Sequence, residues 1–323
     1  MDEDGAVYHG DFCLENGLAG EALTILSANP KNFYQAISDT AAMPRLDLWG
    51  KLFVPDGAGP LPVVIVVPGS LGFQSHHLSH AATITDAGIA ACAVDPFGPR
   101  GVVSTVDNQI QYSFAASAWD VLATAEVLAT RPEIDASRIG AQGHSRGGSA
   151  VLSAASVHLA AAANAPKLVG VYAAYPWCGH QFLNPSVGST QVRAIIGDLD
   201  DWCSPTQVQA HIQAIRVAGG DASVRIVGGA HHSFDRTTPL EHIPDAAVAP
   251  AAPTVYIADD GAFILPTSDQ PDPALVDLDG FLYAAKAGFA TRGAHIAGTP
   301  DLAPFFVEDM TTFWTAVMSR STA

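Results

Sequence analysis

Apolar residues along this chain fall into two spacings. Short, nearly continuous runs rich in β-branched residues alternate with longer stretches in which apolar positions recur three and four apart. The run LPVVIVVPG (61–69) ends at Pro-Gly, as a strand buried on both faces of a parallel sheet does. A helix over 79–88 with a glycine stop comes next, then a strand over 89–95. FAASAWDVLATAEVLATRP (114–132) has helical spacing and is terminated by Pro132. The alternation continues with a strand at 137–143, a small-residue helix at 146–162 and strands at 167–175 and 191–198. It closes with a helix at 205–219, a strand at 222–229 and a last helix at about 304–319. Strands separated by helices of ten or more residues require parallel crossovers. The pattern therefore predicts an α/β fold with a mostly parallel central sheet and helices on both faces. Residues 1–50 are less regular and read as a lead-in to one domain over 51–323. The Pro/Asp/Ala-rich stretch at about 239–300 reads as a late insertion packed on that domain.

Composition narrows the partners more than the chemistry. The chain has 323 residues, 48% of them hydrophobic and 15% charged, which describes a packed globular protein. With 15 Lys and Arg against 32 Asp and Glu, the formal charge of −17 argues against nucleic acid and anionic membranes as partners. No apolar run approaches the roughly 18–20 residues of a membrane span. The acidic start MDEDGAVYHGDF has no apolar core and does not read as a secretory signal. Cys13, Cys92, Cys178 and Cys203 form no CxxC pair, which fits reduced thiols and a cytoplasmic location. Cys178 and Cys203 each follow a tryptophan; two ordinary thiols is the simpler reading, a disulfide or a pocket-lining pair the alternative.

In such a sheet, chemistry collects in loops at the carboxyl ends of strands, and three motifs lie there. GAQGHSRGGSA (140–150) holds Gly143-His144-Ser145-Arg146-Gly147, a G-x-S-x-G between a predicted strand and a predicted helix. In that context the pattern is a nucleophile elbow presenting Ser145, with glycines where the turn is too tight for side chains. The bland alternative is a tight turn with a surface serine. A serine needs a base to take its proton, and the base needs an acid to fix its tautomer. IIGDLDDWCSP (195–205) offers Asp198, Asp200 and Asp201, which local physics does not separate. GGAHHSFD (228–235) offers His231 and His232, whose side chains point apart in an extended loop. Phe234, on the His232 side, would shield that imidazole and so favours His232. SHHLSH brings His76, His77 and His80 together. With no carboxylate or cysteine suitably spaced, it reads as a polar loop, and no metal or other cofactor is expected.

With these motifs in place, the chain resembles the α/β-hydrolase superfamily and, within it, the dienelactone hydrolase-like branch. VVPGSLG (66–72), DPFGPRG (95–101), IDASRIGAQGHSRGG (134–148), GDLDDWCSP (197–205) and GAHHSFD (229–235) carry the resemblance, in order, over roughly residues 45–236. It implies the α/β-hydrolase fold, Asp200 as the acid and His232 as the base, with His231 structural. It also implies an oxyanion hole made by the backbone N–H groups of Arg146 and Ser70. One such donor is typically worth about 3–4 kcal/mol in the transition state. The chain departs from the pattern at three places. Ser145 stands where dienelactone hydrolases carry cysteine, Pro68 where many relatives carry histidine, and the 239–300 insertion is longer than in minimal members. A serine favours ordinary carboxylic esters over dienelactone. Phe73, Trp177 and Trp202 are expected to form an aromatic substrate pocket. Arg146 and Arg100 are candidates for a substrate carboxylate, although a structural salt bridge is the simpler role for Arg100.

These readings converge on a serine hydrolase that cleaves a small-molecule ester through an acyl-enzyme. An amidase or peptidase with the same triad, an acyltransferase, and a non-catalytic binding protein on the same scaffold are the alternatives. A homo-oligomer is left open.

Overall fold

The computed structural model describes residues 7, 8, 10–298 and 300–319; the acidic lead over residues 1–6 lies outside them. In chain order the elements are β1 (Gly20–Ala28), α1 (Phe33–Ser38), β2 (Arg45–Phe53), β3 (Leu61–Val67), α2 (Ser75–Asp86), β4 (Ala90–Asp95) and α3 (Phe114–Ala129). Then come β5 (Ile134–His144), α4 (Arg146–Ala154), α5 (Val157–Ala163), β6 (Gly170–Ala174), β7 (His180–Phe182), β8 (Gln191–Gly197), α6 (Pro205–Val217) and β9 (Ala222–Val227). The remainder supplies β10 (Glu241–Val248), β11 (Val255–Ile257), β12 (Phe263–Ile264), α7 (Asp277–Lys286), β13 (Thr291–Ile296) and α8 (Ala303–Met318).

Eight strands form the main sheet in the order β1-β2-β4-β3-β5-β6-β8-β9. Only β2 runs against the others. The central strands are apolar on both faces because helices cover both: every residue of β4 and all but the first of β3 are buried. From β3 the chain crosses to β4 on one side, and from β4 it returns past β3 to β5 on the other. Right-handed crossovers in opposite directions put α2 on one face and α3 and α4 on the opposite one. The loops leaving β3 and β5 therefore part at the carboxyl edge and leave a crevice between them.

The predicted strands and helices form close to their expected positions, with three differences. The small-residue helix at 146–162 is broken at Ser156, whose backbone is extended, because the Val157 N–H turns to the carbonyl of Ser186. β1, inside the irregular first 50 residues, is an edge strand of the main sheet. SHHLSH is not a polar loop. It forms the start of α2, with Gln74 and His77 in a capping box, and His77 and His80 are buried.

The insertion is structured as well. β10 and β13 form an antiparallel ribbon, and β11 and β12 join β7 in a small three-stranded sheet. Asn32 ties this region to the N-terminal part through hydrogen bonds to the carbonyls of Pro273 and Leu275. Among the described residues, no helix is long and apolar enough to cross a membrane.

Candidate active site

The turn from β5 into α4 sets the site. Ser145 has φ 55° and ψ −115°, an unfavourable conformation for a residue with a side chain. The two glycines around it are sterically required. A Cβ on Gly143 would lie 2.0 Å from the Gly147 carbonyl oxygen, and one on Gly147 would lie 2.5 Å from that of Val67. The strain lifts the Ser145 hydroxyl to the carboxyl edge of the sheet, at the N-terminus of α4.

His232 and Asp200 complete a hydrogen-bonded line. His232 Nε2 lies 3.0 Å from Ser145 Oγ, and its Nδ1 lies 2.8 Å from Asp200 Oδ2. The second Asp200 oxygen accepts the backbone N–H groups of Trp202 (3.0 Å) and Cys203 (2.8 Å), which fixes the carboxylate. All three side chains are buried. The other two aspartates are engaged elsewhere. Asp198 accepts the Gly229 N–H at the surface, and Asp201 holds His295 through both its backbone N–H and its Nδ1. His231 turns away toward His295, with ring centroids 5.8 Å apart.

The shield over His232 differs from the expectation. Ser233 has φ 58°, so the alternation that would put Phe234 beside His232 is broken. Phe234 packs on Tyr175 and Phe306 instead. Trp202 stacks on the His232 imidazole at 5.1 Å and 23°, and Tyr175 meets it edge-on at 4.8 Å.

Arg146 and Ser70 line the cleft, from α4 and from the loop after β3, and carry the two backbone N–H groups expected to form the oxyanion hole. Among the described residues, neither has an acceptor within the protein. Gln109 braces both sides, a residue without a motif to reveal it. Its side chain bonds Ser70 Oγ at 3.1 Å, and its carbonyl accepts the Arg146 guanidinium at 2.7 Å. That guanidinium also donates to the Tyr112 carbonyl and lies over the Tyr112 and Phe114 rings. It is committed to the protein rather than displayed to a substrate carboxylate. Arg100 forms the structural pair, bidentate to buried Asp120.

A cleft opens beside Ser145. Trp177 and Trp202 line it with Phe114. The insertion supplies its far wall, through Val248, Ala252, Val255 and Phe281. Phe73, expected in this pocket, is not there. It is buried against Tyr8 and His77, because the loop after β3 folds back over α2 before reaching the cleft. Cys203 also lines the cleft. Cys178 and Cys203 are both free thiols, pushed up by burial, so they are not paired and not primed as nucleophiles.

Behind the cleft wall, buried Asp277 accepts the Phe114 N–H at 2.8 Å, and burial pushes its carboxyl up to about 6. Nearby His180 is pushed down to about 3 by burial and by Arg146, so it is neutral and offers Asp277 no charge. A carboxyl raised in the fold contributes stability below its unfolded value and loses it as the pH rises through about 6. Asp277→Asn removes that loss. Urea denaturation should show the variant gaining on the wild type by on the order of 2 kcal/mol between pH 4 and pH 8. An unchanged difference between the two pH values would contradict the assignment.

Strand order, the strained elbow and the loops at the carboxyl edge together define an α/β-hydrolase-fold protein. Residues 48–255, more than half of the chain, match the model of the dienelactone hydrolase family, and the chain belongs to that family. None of the curated proteins matches it. Among solved structures it is similar to one named m3DLH (19% identity, TM-score 0.51, covering 83% of this chain and 95% of that one). It is also similar to the esterase Est22 (17%, TM-score 0.51, covering 68% and 74%). A third is a putative dienelactone hydrolase from Klebsiella pneumoniae subsp. pneumoniae MGH 78578 (20%, TM-score 0.49, covering 67% and 89%). At these identities the likeness is one of fold.

Proposed function

We propose that this hydrolase-family protein cleaves carboxylic esters through a serine acyl-enzyme. The observation that carries the reading is the unbroken line from Ser145 Oγ through His232 to Asp200, ending beside an apolar cleft. Ser145 attacks the acyl carbon while His232 Nε2 takes its proton. Asp200 holds the imidazole in the tautomer with Nδ1 protonated and stabilises the cation that forms. The Arg146 and Ser70 N–H groups receive the charge that develops on the carbonyl oxygen. His232 then protonates the leaving alcohol, and a water molecule repeats the sequence on the acyl-enzyme. No step in this scheme calls on a cofactor.

In this reading the main sheet, with β1 and β2 of the lead-in as part of it, belongs to one catalytic domain, and the 239–300 insertion is its cap. The cap's aliphatic and aromatic wall, where Phe281 stacks on Trp177, suits an apolar acyl or alcohol group. Hydrolysis of nitrophenyl esters from short to long and aromatic acyl groups tests this. The expected optimum is medium-length or aromatic, with acetate at least tenfold poorer in kcat/KM. Inertness toward every ester would overturn the reading and turn attention to amides or to binding without turnover.

A further inference from the structure

The wall of the cleft beside Ser145 holds a polar side chain that the proposed mechanism does not use. His180 is buried in a box of aromatic rings, with Trp177 and Phe263 each 4.8 Å away between centroids and Phe114 5.4 Å away. Among the described residues, neither of its ring nitrogens has a hydrogen-bond partner. Nδ1 is buried and turned to Asp277 Oδ1, itself unpartnered, 3.7 Å away. A buried imidazole bonded at neither nitrogen is costly, and such a group in a folded protein calls for an explanation.

Nε2, across the ring, lies beside Gly280 of α7, and both residues line the cleft. Nothing in the backbone requires glycine there. Its φ is outside the left-handed region, and an added Cβ would meet only ordinary contacts, 3.4 Å from Val255 Cγ2 and 3.9 Å from His180 Nε2. Glycine is also a poor helix former. The missing side chain leaves open space in front of Nε2. His232 lines not this cleft but a second, smaller cavity, together with Ser145 and Ser70. In the proposed reaction His232 protonates the leaving alcohol, which puts the alcohol on that side and the acyl group in the cleft with His180.

We propose that His180 determines specificity: its Nε2 bonds a hydroxyl on an otherwise apolar acyl group, so that esters of hydroxylated acids are the preferred substrates. The inference rests on the ester-cleaving reading above. A hydroxyl fits because it both donates and accepts, and so answers the imidazole whichever nitrogen carries the proton. Around it Phe114, Trp177, Val255 and Phe281 form an apolar wall, which favours a neutral group over a charged one. The hydroxyl takes no part in the bond changes. Its hydrogen bond is therefore the same in ground and transition states and acts on KM more than on kcat.

The methyl ester of phenylpropanoate and its ortho-, meta- and para-hydroxyphenyl forms test the proposal, because they differ only in the hydroxyl and where it is held. Wild type should prefer at least one hydroxylated ester over the parent by about tenfold or more in kcat/KM, mostly through KM. His180→Phe keeps an aromatic ring in the box and should bring that ratio to about one. Gly280→Ala keeps the imidazole, places a methyl group in front of Nε2 and favours the helix. It should lower the ratio severalfold, and it reads the same contact if His180→Phe fails to fold.

Methyl ketones of the same skeletons have no leaving group and read the contact by calorimetry without turnover. Wild type should bind the best hydroxylated ketone about tenfold more tightly than the parent ketone, and His180→Phe should bind the two alike. Equal treatment of hydroxylated and parent esters by the wild type would overturn the proposal and leave the ester-cleaving reading standing. So would a preference that His180→Phe retains. Inertness toward every ester, with a ketone preference that depends on His180, would sink the ester-cleaving reading and keep the hydroxyl contact. Inertness with no ketone preference would sink both.

Discussion

Ser145→Ala is expected to lower kcat on any ester the protein turns over by about 10⁴–10⁶, with little change in KM. The size follows from the chemistry. The variant retains the cleft and both oxyanion N–H groups, so substrate still binds and developing charge is still received. It loses the hydroxyl that forms the acyl-enzyme in the proposed mechanism. The fold should survive, because Ser145 is held through its backbone: its N–H donates to the Ala174 carbonyl, and its side chain makes no contact that spans the core. Alanine meets the same φ of 55° that serine does. Intact-protein mass spectrometry after a brief exposure to ester should show an acyl adduct on the wild type and none on the variant. A variant that retains turnover within tenfold would place the nucleophile elsewhere.

Asp200→Asn is the second large effect, about 10⁴ in kcat, and it reads tautomer rather than charge alone. Asp200 Oδ1 is held by two backbone donors, the N–H groups of Trp202 and Cys203. An asparagine keeps its carbonyl oxygen there, because only an acceptor satisfies those groups. Its amide nitrogen is then forced toward His232 Nδ1, which must accept. The proton moves to Nε2, the atom that faces Ser145 at 3.0 Å. His232 becomes a donor at the moment a base is needed. Substrate affinity and thermal stability should change little beside the loss in turnover. A drop in kcat smaller than tenfold would mean that Asp200 does not set the imidazole.

The order of strands and helices could be read from the chain because burial on two faces requires continuous apolar runs and burial on one requires helical spacing. β3 and α3 are examples. β1 and β2 are harder to see because β1 alternates apolar and polar positions only loosely as an edge strand, with one side exposed. The small strands of the insertion are two to three residues long in β11 and β12, too short for any periodicity. Ser145 was legible because an elbow leaves a steric signature, the glycines at 143 and 147. His232 rested on a weaker argument that reached the geometry seen here by a partly mistaken route, since Trp202 and Tyr175 rather than Phe234 cover the ring. Phe73 shows the limit of the same reasoning. An aromatic after a strand end can turn into the cleft or back into the core, and composition does not say which.

By itself the sequence determined the alternation of elements, the strained serine turn, and the short list of residues from which a base and an acid could come. Those are local properties, set by the spacing of apolar side chains and by steric contacts within a few residues. Tertiary structure alone decided which of Asp198, Asp200 and Asp201 meets His232, and that Gln109 braces Ser70 and Arg146. Each of these depends on where two loops far apart in sequence come to rest. Directional hydrogen bonds choose among equivalent side chains only after packing has brought their backbones within reach.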